Sequence, residues 1–218
     1  HLLHAALKEV LGEHIKQAGS LVAPDRLRFD YTHFSPLTEK ERARIEAMVN
    51  EKVRENIQVS TEEMEIEDAL KEGAMALFGE KYGDRVRVVS VPGFSKELCG
   101  GTHVSATGDI GLFRIISEGG IASGVRRIEA VTGGTAYEKV HSEYESLAAI
   151  RSILKAPTNE ELAKVKKLLE KNRELEKEVL SLKEKLVSRK DSSNEDDIQK
   201  MGEVSLLIKN LESTDAKT

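Results

Sequence analysis

The only cysteine of the chain, Cys99, stands four residues before His103 in the run ELCGGTHV at 97–104. A thiolate and an imidazole at that spacing can both reach one borderline-soft cation such as zinc, and Gly100 and Gly101 let the backbone turn tightly between them. Two donors make half a zinc site, so the rest has to come from another part of the chain. His1 opens an apolar helical pattern and His4 follows one turn later. They form a second histidine-bearing piece that folding can bring to the first, with His4 the one nearby spare donor. Taken alone, a single cysteine is more often a small buried hydrophobe, and an isolated histidine a satisfied core or surface residue. No Ser/His/Asp constellation is visible, so the sequence does not point to covalent catalysis.

The elements that have to position these residues are legible from periodicity. Leu2, Leu3, Ala6, Leu7, Val10 and Leu11 recur at helical spacing, with Gly12 as a stop. Leu21-Val22, the turn at Pro24-Asp25 and the alternation of Leu27, Phe29 and Tyr31 read as a β-hairpin. Thr38 with Glu41 is a capping box, and Ile45, Met48, Val49 and Val53 give the helix that follows one apolar stripe. Residues 57–61 read as a short strand, Ile66 to Leu70 as a helix ending by Gly73, and Val86, Val88 and Val91 as a strand. Strands are expected at 110–116 and 126–131, separated by a glycine-rich loop in ISEGGIASGVRR. That loop, ending in Arg126 and Arg127, can hold phosphate or a ribose edge; the commoner use of such residues is a turn and a solvated strand end. Helices on an antiparallel sheet make an α+β fold.

From about Thr135 the composition shifts to helix formers, interrupted at Pro157 and restarting near Thr158. Val165, Leu168, Asn172, Leu175, Val179, Leu182 and Leu186 alternate at three and four residues, an a/d heptad seam with Asn172 at an a position. Its partner helix is either a second chain, giving a homodimer, or the segment around Ala136 to Ile153 folded back. Residues 191–197 break the pattern, and VSLLI at 204–208 reads as the start of a further element. The expected division is therefore 1–134 as one domain, 135–190 as a helical, coiled-coil-like segment, and 191–218 as a polar linker with the beginning of the next domain.

Composition bounds what such a chain does. Its 218 residues are 39% hydrophobic and 33% charged with a formal net charge of -5, enough for one good core but no basic nucleic-acid glove. One cysteine rules out an internal disulfide framework and suits a reducing compartment. With no signal pattern and no apolar run near the roughly 18 residues a membrane helix needs, a cytoplasmic location away from membranes is expected, for a piece of a longer protein.

Five blocks, HLLHAALKEVLGEH at 1–14, QAGSLVAPDRLRFD at 17–30, GAMALFGEKYGDRVRVV at 73–89, ELCGGTHV at 97–104 and GVRRIEAVTG at 124–133, together resemble the editing domain of the alanyl-tRNA synthetase family, followed by that family's helical linker. Freestanding alanyl-tRNA editing proteins share the His and Cys pieces but usually lack such a helical tail. Threonyl-tRNA synthetases have a similar domain that tends to carry proline where Thr102 stands. The resemblance implies hydrolysis of the ester that joins serine or glycine to alanine tRNA. It also implies a zinc ion held by H-x-x-x-H and C-x-x-x-H pieces, which assigns His1, Cys99 and His103 as ligands and puts the fourth ligand four residues before His1. On that basis zinc occupancy of this chain by itself is expected to be weak. Gln17 matches a family active-site position, Thr102 is a candidate for contacting the substrate, and Arg126 and Arg127 are the candidates for tRNA phosphates. The alternative is a structural and RNA-binding connector whose long helix serves assembly.

Overall fold

The computed structural model describes residues 1–76, 82–192, 198–201 and 204–207, with side chains up to residue 187. It divides into two compact units, His1–Glu145 and Ser146–Thr218.

In the first unit, helix α1 (Leu2–Leu11) leads into the hairpin β1 (Gln17–Val22) and β2 (Leu27–Thr32), and then into helix α2 (Glu39–Arg54). Strand β3 (Ser60–Glu65), helix α3 (Ile66–Lys71), strands β4 (Arg85–Val91) and β5 (Ser95–Leu98), a 3-10 turn (Thr107–Ile110) and strands β6 (Phe113–Ala122) and β7 (Val125–Thr132) follow. The architecture is α+β. One antiparallel sheet has the order β1-β2-β7-β6 and the other the order β3-β4-β5.

Local chemistry fixes the helix ends. Gly12 sits at φ 113, a backbone that L side chains rarely adopt, and its N–H closes α1 on the Lys8 carbonyl at 2.8 Å. At the start of α2 the Thr38 hydroxyl accepts from the Glu41 N–H (3.2 Å), and the Glu41 carboxylate accepts from the Thr38 N–H (2.8 Å). The stripes of both helices then meet the alternating inward residues of the four-stranded sheet. Leu7, Phe29, Tyr31, Ile45, Val49, Ile115 and Ile128 are all in one buried cluster, and burying a side chain of this size stabilises by about 1.5–3 kcal/mol. A smaller cluster of Ala69, Ala74, Val86, Val88 and Leu98 fills the space between α3 and the three-stranded sheet.

The free edge of β6 is covered by side chains of α2. Asn50 accepts from the Phe113 N–H (2.9 Å) and donates to the Phe113 carbonyl (2.8 Å), while Glu46 accepts from the Ile115 N–H (2.8 Å). An edge strand otherwise offers an open row of donors and acceptors to any other chain.

The first unit departs from the sequence expectations at three places. The strand placed at 57–61 is β3 at Ser60–Glu65, because the preceding Gln58 makes only an isolated bridge to Ala106. The separate strand β5, with no apolar alternation long enough to show in the sequence, carries the chain directly into Cys99. The glycine-rich segment is not an open loop: Gly119 and Gly120 lie within β6, paired with Arg127 and Arg126 of β7, and the hairpin turns at Ser123-Gly124. Glycine is compatible with a strand, and two long antiparallel partners satisfy more backbone groups than a loop does.

Helix α4 (Gly133–Leu154) begins in the first unit, where Ala136 is buried. In the second unit, Pro157 and a positive φ at Asn159 delay the next helix, so that α5 runs over Glu161–Ser192 rather than from Thr158. The Arg151 guanidinium pairs with Glu161 across that break. Leu168, Leu175, Val179, Leu182 and Leu186 of the heptad seam are 45% to 65% exposed, and the Asn172 amide donates to Glu176 at 2.8 Å. The short strands β8 (Ile198–Met201) and β9 (Val204–Leu207) pair with each other. The polar break at 193–197 and the end of the VSLLI run lie outside the described residues. Among the described residues, no helix is long and apolar enough to cross a membrane.

Candidate metal centre

His1 and, about a hundred residues later, the neighbouring Cys99 and His103 converge at the start of α1 and the end of β5. One ligand atom each from His1, Cys99 and His103 lie within 4.8 Å of one another. The two imidazoles face each other through their Nε2 atoms at 3.0 Å, with ring centroids 5.1 Å apart. Zinc binds imidazole nitrogen at ~2.0–2.1 Å and thiolate at ~2.3 Å, so ligand atoms on a tetrahedral ion stand roughly 3.3–3.6 Å apart. The donor types fit that ion, and the two imidazole nitrogens stand slightly closer together than a tetrahedral edge.

The loop that carries two of the donors is held from outside. The Arg87 guanidinium donates to the carbonyls of Cys99 (3.3 Å) and Gly101, and the Cys99 N–H donates to the Arg87 carbonyl at 3.0 Å. A side chain on Gly101 would stand against Cys99 Sγ at 3.6 Å and the His103 ring at 3.8 Å. The loop leaves through Ser105, whose carbonyl accepts from the Val59 N–H (2.9 Å), and through Thr107.

Behind His1 sits Glu97, which is fully buried. Its Oε2 is 2.8 Å from His1 Nδ1, and its Oε1 accepts from the Ser95 hydroxyl at 3.0 Å and stands 3.4 Å from His4 Nδ1. Burial works against charge on both groups of the His1–Glu97 pair. Mutual hydrogen bonding and attraction outweigh it, helped on the His1 side by Cys99 and on the Glu97 side by His4. In the metal-free state His1 is thereby held up at about 9 and Glu97 well below the usual carboxylate range. His103 is pushed down, first by burial and then by the charges of His1 and Arg87. His4 does not join the donor cluster. It is buried, with its ring against Phe29, and its Nε2 has no hydrogen-bond partner among the described residues.

An apolar cavity of about 160 Å³ opens at the histidine pair, walled by Leu3, Val49, Val91, Val104 and Phe113. A larger open cleft of about 410 Å³ between α1 and the β4–β5 hairpin is lined by none of the three donors.

The other residues singled out in the sequence are placed as follows. Thr102 is exposed within the loop between Cys99 and His103. Gln17 starts β1 at a register shift, and its amide donates to the Ser20 hydroxyl at 3.3 Å. Arg126 is nearly buried in a bidentate pair with Glu118, which also accepts from the Tyr31 hydroxyl. Arg127 is forked onto Asp30 at 2.7 and 2.8 Å. Both arginines therefore tie β7 to its neighbours. The sequence reading passed over Glu97 and Arg87. No local signal marks Glu97, because β5 does not show in the sequence; in the structure Ser95 and Glu97 share the buried face of that strand.

Residues 86–129, spanning β4, the cysteine loop and most of the β6–β7 hairpin, match the family model described as the threonyl and alanyl tRNA synthetase second additional domain. Those residues are similar to that class of synthetase domains. The chain is similar to alanine–tRNA ligases in particular. It is 58% identical over 188 residues to the alanine–tRNA ligase of Xanthomonas campestris pv. campestris (strain 8004), covering 86% of this chain and 21% of that protein. It is 49% identical over 217 residues to that of Pseudoalteromonas translucida (strain TAC 125), covering 100% of this chain and 25% of that protein. The chain thus spans about a fifth to a quarter of the length of the curated relatives it matches.

Proposed function

We propose that this chain is the part of an alanine–tRNA ligase that hydrolyses the ester joining serine or glycine to alanine tRNA, in translation quality control in the cytoplasm. The observation that carries the reading is the convergence of His1, Cys99 and His103 on one point, in a chain similar throughout to alanine–tRNA ligases. The chemistry supplies the need. A synthetic pocket shaped for alanine admits the smaller glycine, and rejects serine only weakly because serine merely adds a hydroxyl, so discrimination has to be repeated at a second site.

His1, Cys99 and His103 are the residues that would hold zinc, which when bound supplies a Lewis acid or an anchor for the amino acid beside the ester. The chain's own groups do the rest. Thr102, exposed on the same loop, would contact the amino acid, and Gln17 would orient the serine hydroxyl or the attacking water. Arg87 fixes the two loop carbonyls between the ligands, so the loop N–H groups keep one orientation toward a bound substrate. The apolar wall beneath the histidines keeps bulk water from the buried side of the cluster, which strengthens every polar contact there. The acceptor end of alanine tRNA approaches the exposed side, where Thr102 lies. Since Arg126 and Arg127 are committed to carboxylates, their contribution to phosphate contacts is secondary to their hold on the sheet.

The apolar seam of α5, about half exposed, favours a second role beside the first, pairing with one partner helix, which in a homodimer is the α5 of a second copy.

The test is deacylation of alanine tRNA charged with serine, glycine or alanine, with zinc content measured by elemental analysis. Selective loss of serine and glycine supports the reading. Equal rates on all three, or no hydrolysis by a zinc-loaded chain, overturns it and leaves the connector role.

A further inference from the structure

We propose that Glu97 is a positioning residue for the metal centre: its buried carboxylate fixes which nitrogen of His1 carries the proton and so presents the Nε2 lone pair to the ion. The inference rests on the reading of His1, Cys99 and His103 as zinc ligands, and adds a residue that holds the ion only through one of them.

An ionised carboxylate with no exposed surface is costly unless donors surround it. Around Glu97 the donors are the Ser95 hydroxyl at 3.0 Å and the His1 imidazole at 2.8 Å, while His4 Nδ1 stands 3.4 Å away without a hydrogen bond. A carboxylate only accepts, so His1 Nδ1 has to be the protonated nitrogen facing it. That leaves Nε2 of His1 unprotonated when a metal is bound, and Nε2 is the atom turned toward His103 at 3.0 Å. Histidine ligands gain orientation and basicity when their second nitrogen donates to a carboxylate. Glu97 is in turn oriented by the Ser95 hydroxyl, two residues back on the same face of β5. Glu97 is not itself among the three residues whose ligand atoms converge, so its role toward the ion runs through His1.

A merely structural Glu97, holding α1 to β5, would change stability and leave the metal untouched. The deciding experiment titrates the chain and its Glu97→Gln variant with Co2+, reading the visible spectrum of the bound ion and the affinity in competition with a chelator. Metal-free thermal melts run in parallel. The expected result is a folded variant whose Co2+ affinity is lower by about 10–100-fold, the range found when such partners of ligands are removed. A folded Glu97→Gln chain that binds Co2+ as tightly as the wild type overturns the proposal. If that variant fails to fold, a long-range 1H–15N spectrum of the zinc-loaded wild type still decides. His1 protonated at Nδ1 supports the proposal, and His1 protonated at Nε2 overturns it. A wild-type chain extended upstream of His1 that takes up neither cobalt nor zinc overturns the metal reading itself, a failure distinct from equal binding by wild type and variant.

Discussion

Thr107 offers a sharp test of how the cysteine loop is fastened to the rest of the fold. Its side chain is essentially fully buried, and its hydroxyl donates to the Lys52 carbonyl at 2.6 Å while accepting from the Ile57 N–H at 2.8 Å. Lys52 lies in the last turn of α2, where carbonyls lack intrahelical donors, and Ile57 follows the helix end. One hydroxyl therefore completes the C-terminus of α2 four residues beyond His103. Thr107→Val keeps the shape and removes the hydroxyl, leaving a part-buried carbonyl and a part-buried N–H each short of this partner. At about 1–3 kcal/mol for each group left unsatisfied, partial relaxation included, the expected loss is about 2–4 kcal/mol, a large part of the 5–15 kcal/mol that holds a typical domain together. Thr107→Ser keeps both hydrogen bonds and loses one buried methyl, worth about 1 kcal/mol. Urea unfolding of the three metal-free chains measures the difference, and amide exchange at Ile57 localises it. A valine variant as stable as the serine variant would refute the argument that polar satisfaction rather than packing fixes this junction.

Further outcomes follow from the site and the second unit. Cys99→Ala should abolish the thiolate-to-cobalt charge-transfer band and reduce serine-tRNA hydrolysis by orders of magnitude while circular dichroism stays close to wild type; an unfolded variant would make the metal a structural staple instead. His1, raised to about 9 in the metal-free chain, carries its proton at neutral pH, so zinc uptake at pH 7 should release protons, seen as calorimetric heats that change with the buffer's ionisation enthalpy; heats independent of buffer would contradict the His1–Glu97 pairing. His33 hydrogen-bonds His14 at 2.9 Å and is held below the ordinary histidine value, first by burial and then by the charge of His14. The folded chain should therefore lose stability as pH falls below about 6.5, where the unfolded chain takes up the proton first. His14→Gln should raise the NMR midpoint of His33, and an unmoved midpoint would refute the coupling. Asn172→Val should strengthen pairing of α5 and loosen its choice of partner, measured by sedimentation and thermal melts; no change in either would place Asn172 facing water.

Much of the local structure was legible because it is written in neighbouring residues. The stripe of Leu2, Leu3, Ala6 and Leu7, the Thr38–Glu41 capping box and the alternation of Phe29 and Tyr31 each depend on a few consecutive positions, and the elements form where those patterns lie. Periodicity failed where pairing rather than side-chain pattern decides. The glycines at 119 and 120 read as a loop, yet they sit in β6 because β7 supplies their backbone partners. The candidate donors were within reach of the sequence, Cys99 and His103 through their spacing and His1 through the family resemblance. Tertiary structure alone decided what surrounds it. His1 meets Glu97 across 96 positions, Arg127 meets Asp30 across 97, and neither encounter leaves a local trace. Spacing names which atoms can bind an ion; only the packing of α1 against β5 determines which carboxylate lies behind His1, and an arginine free in the sequence becomes a strand tie when a distant acid is folded beside it.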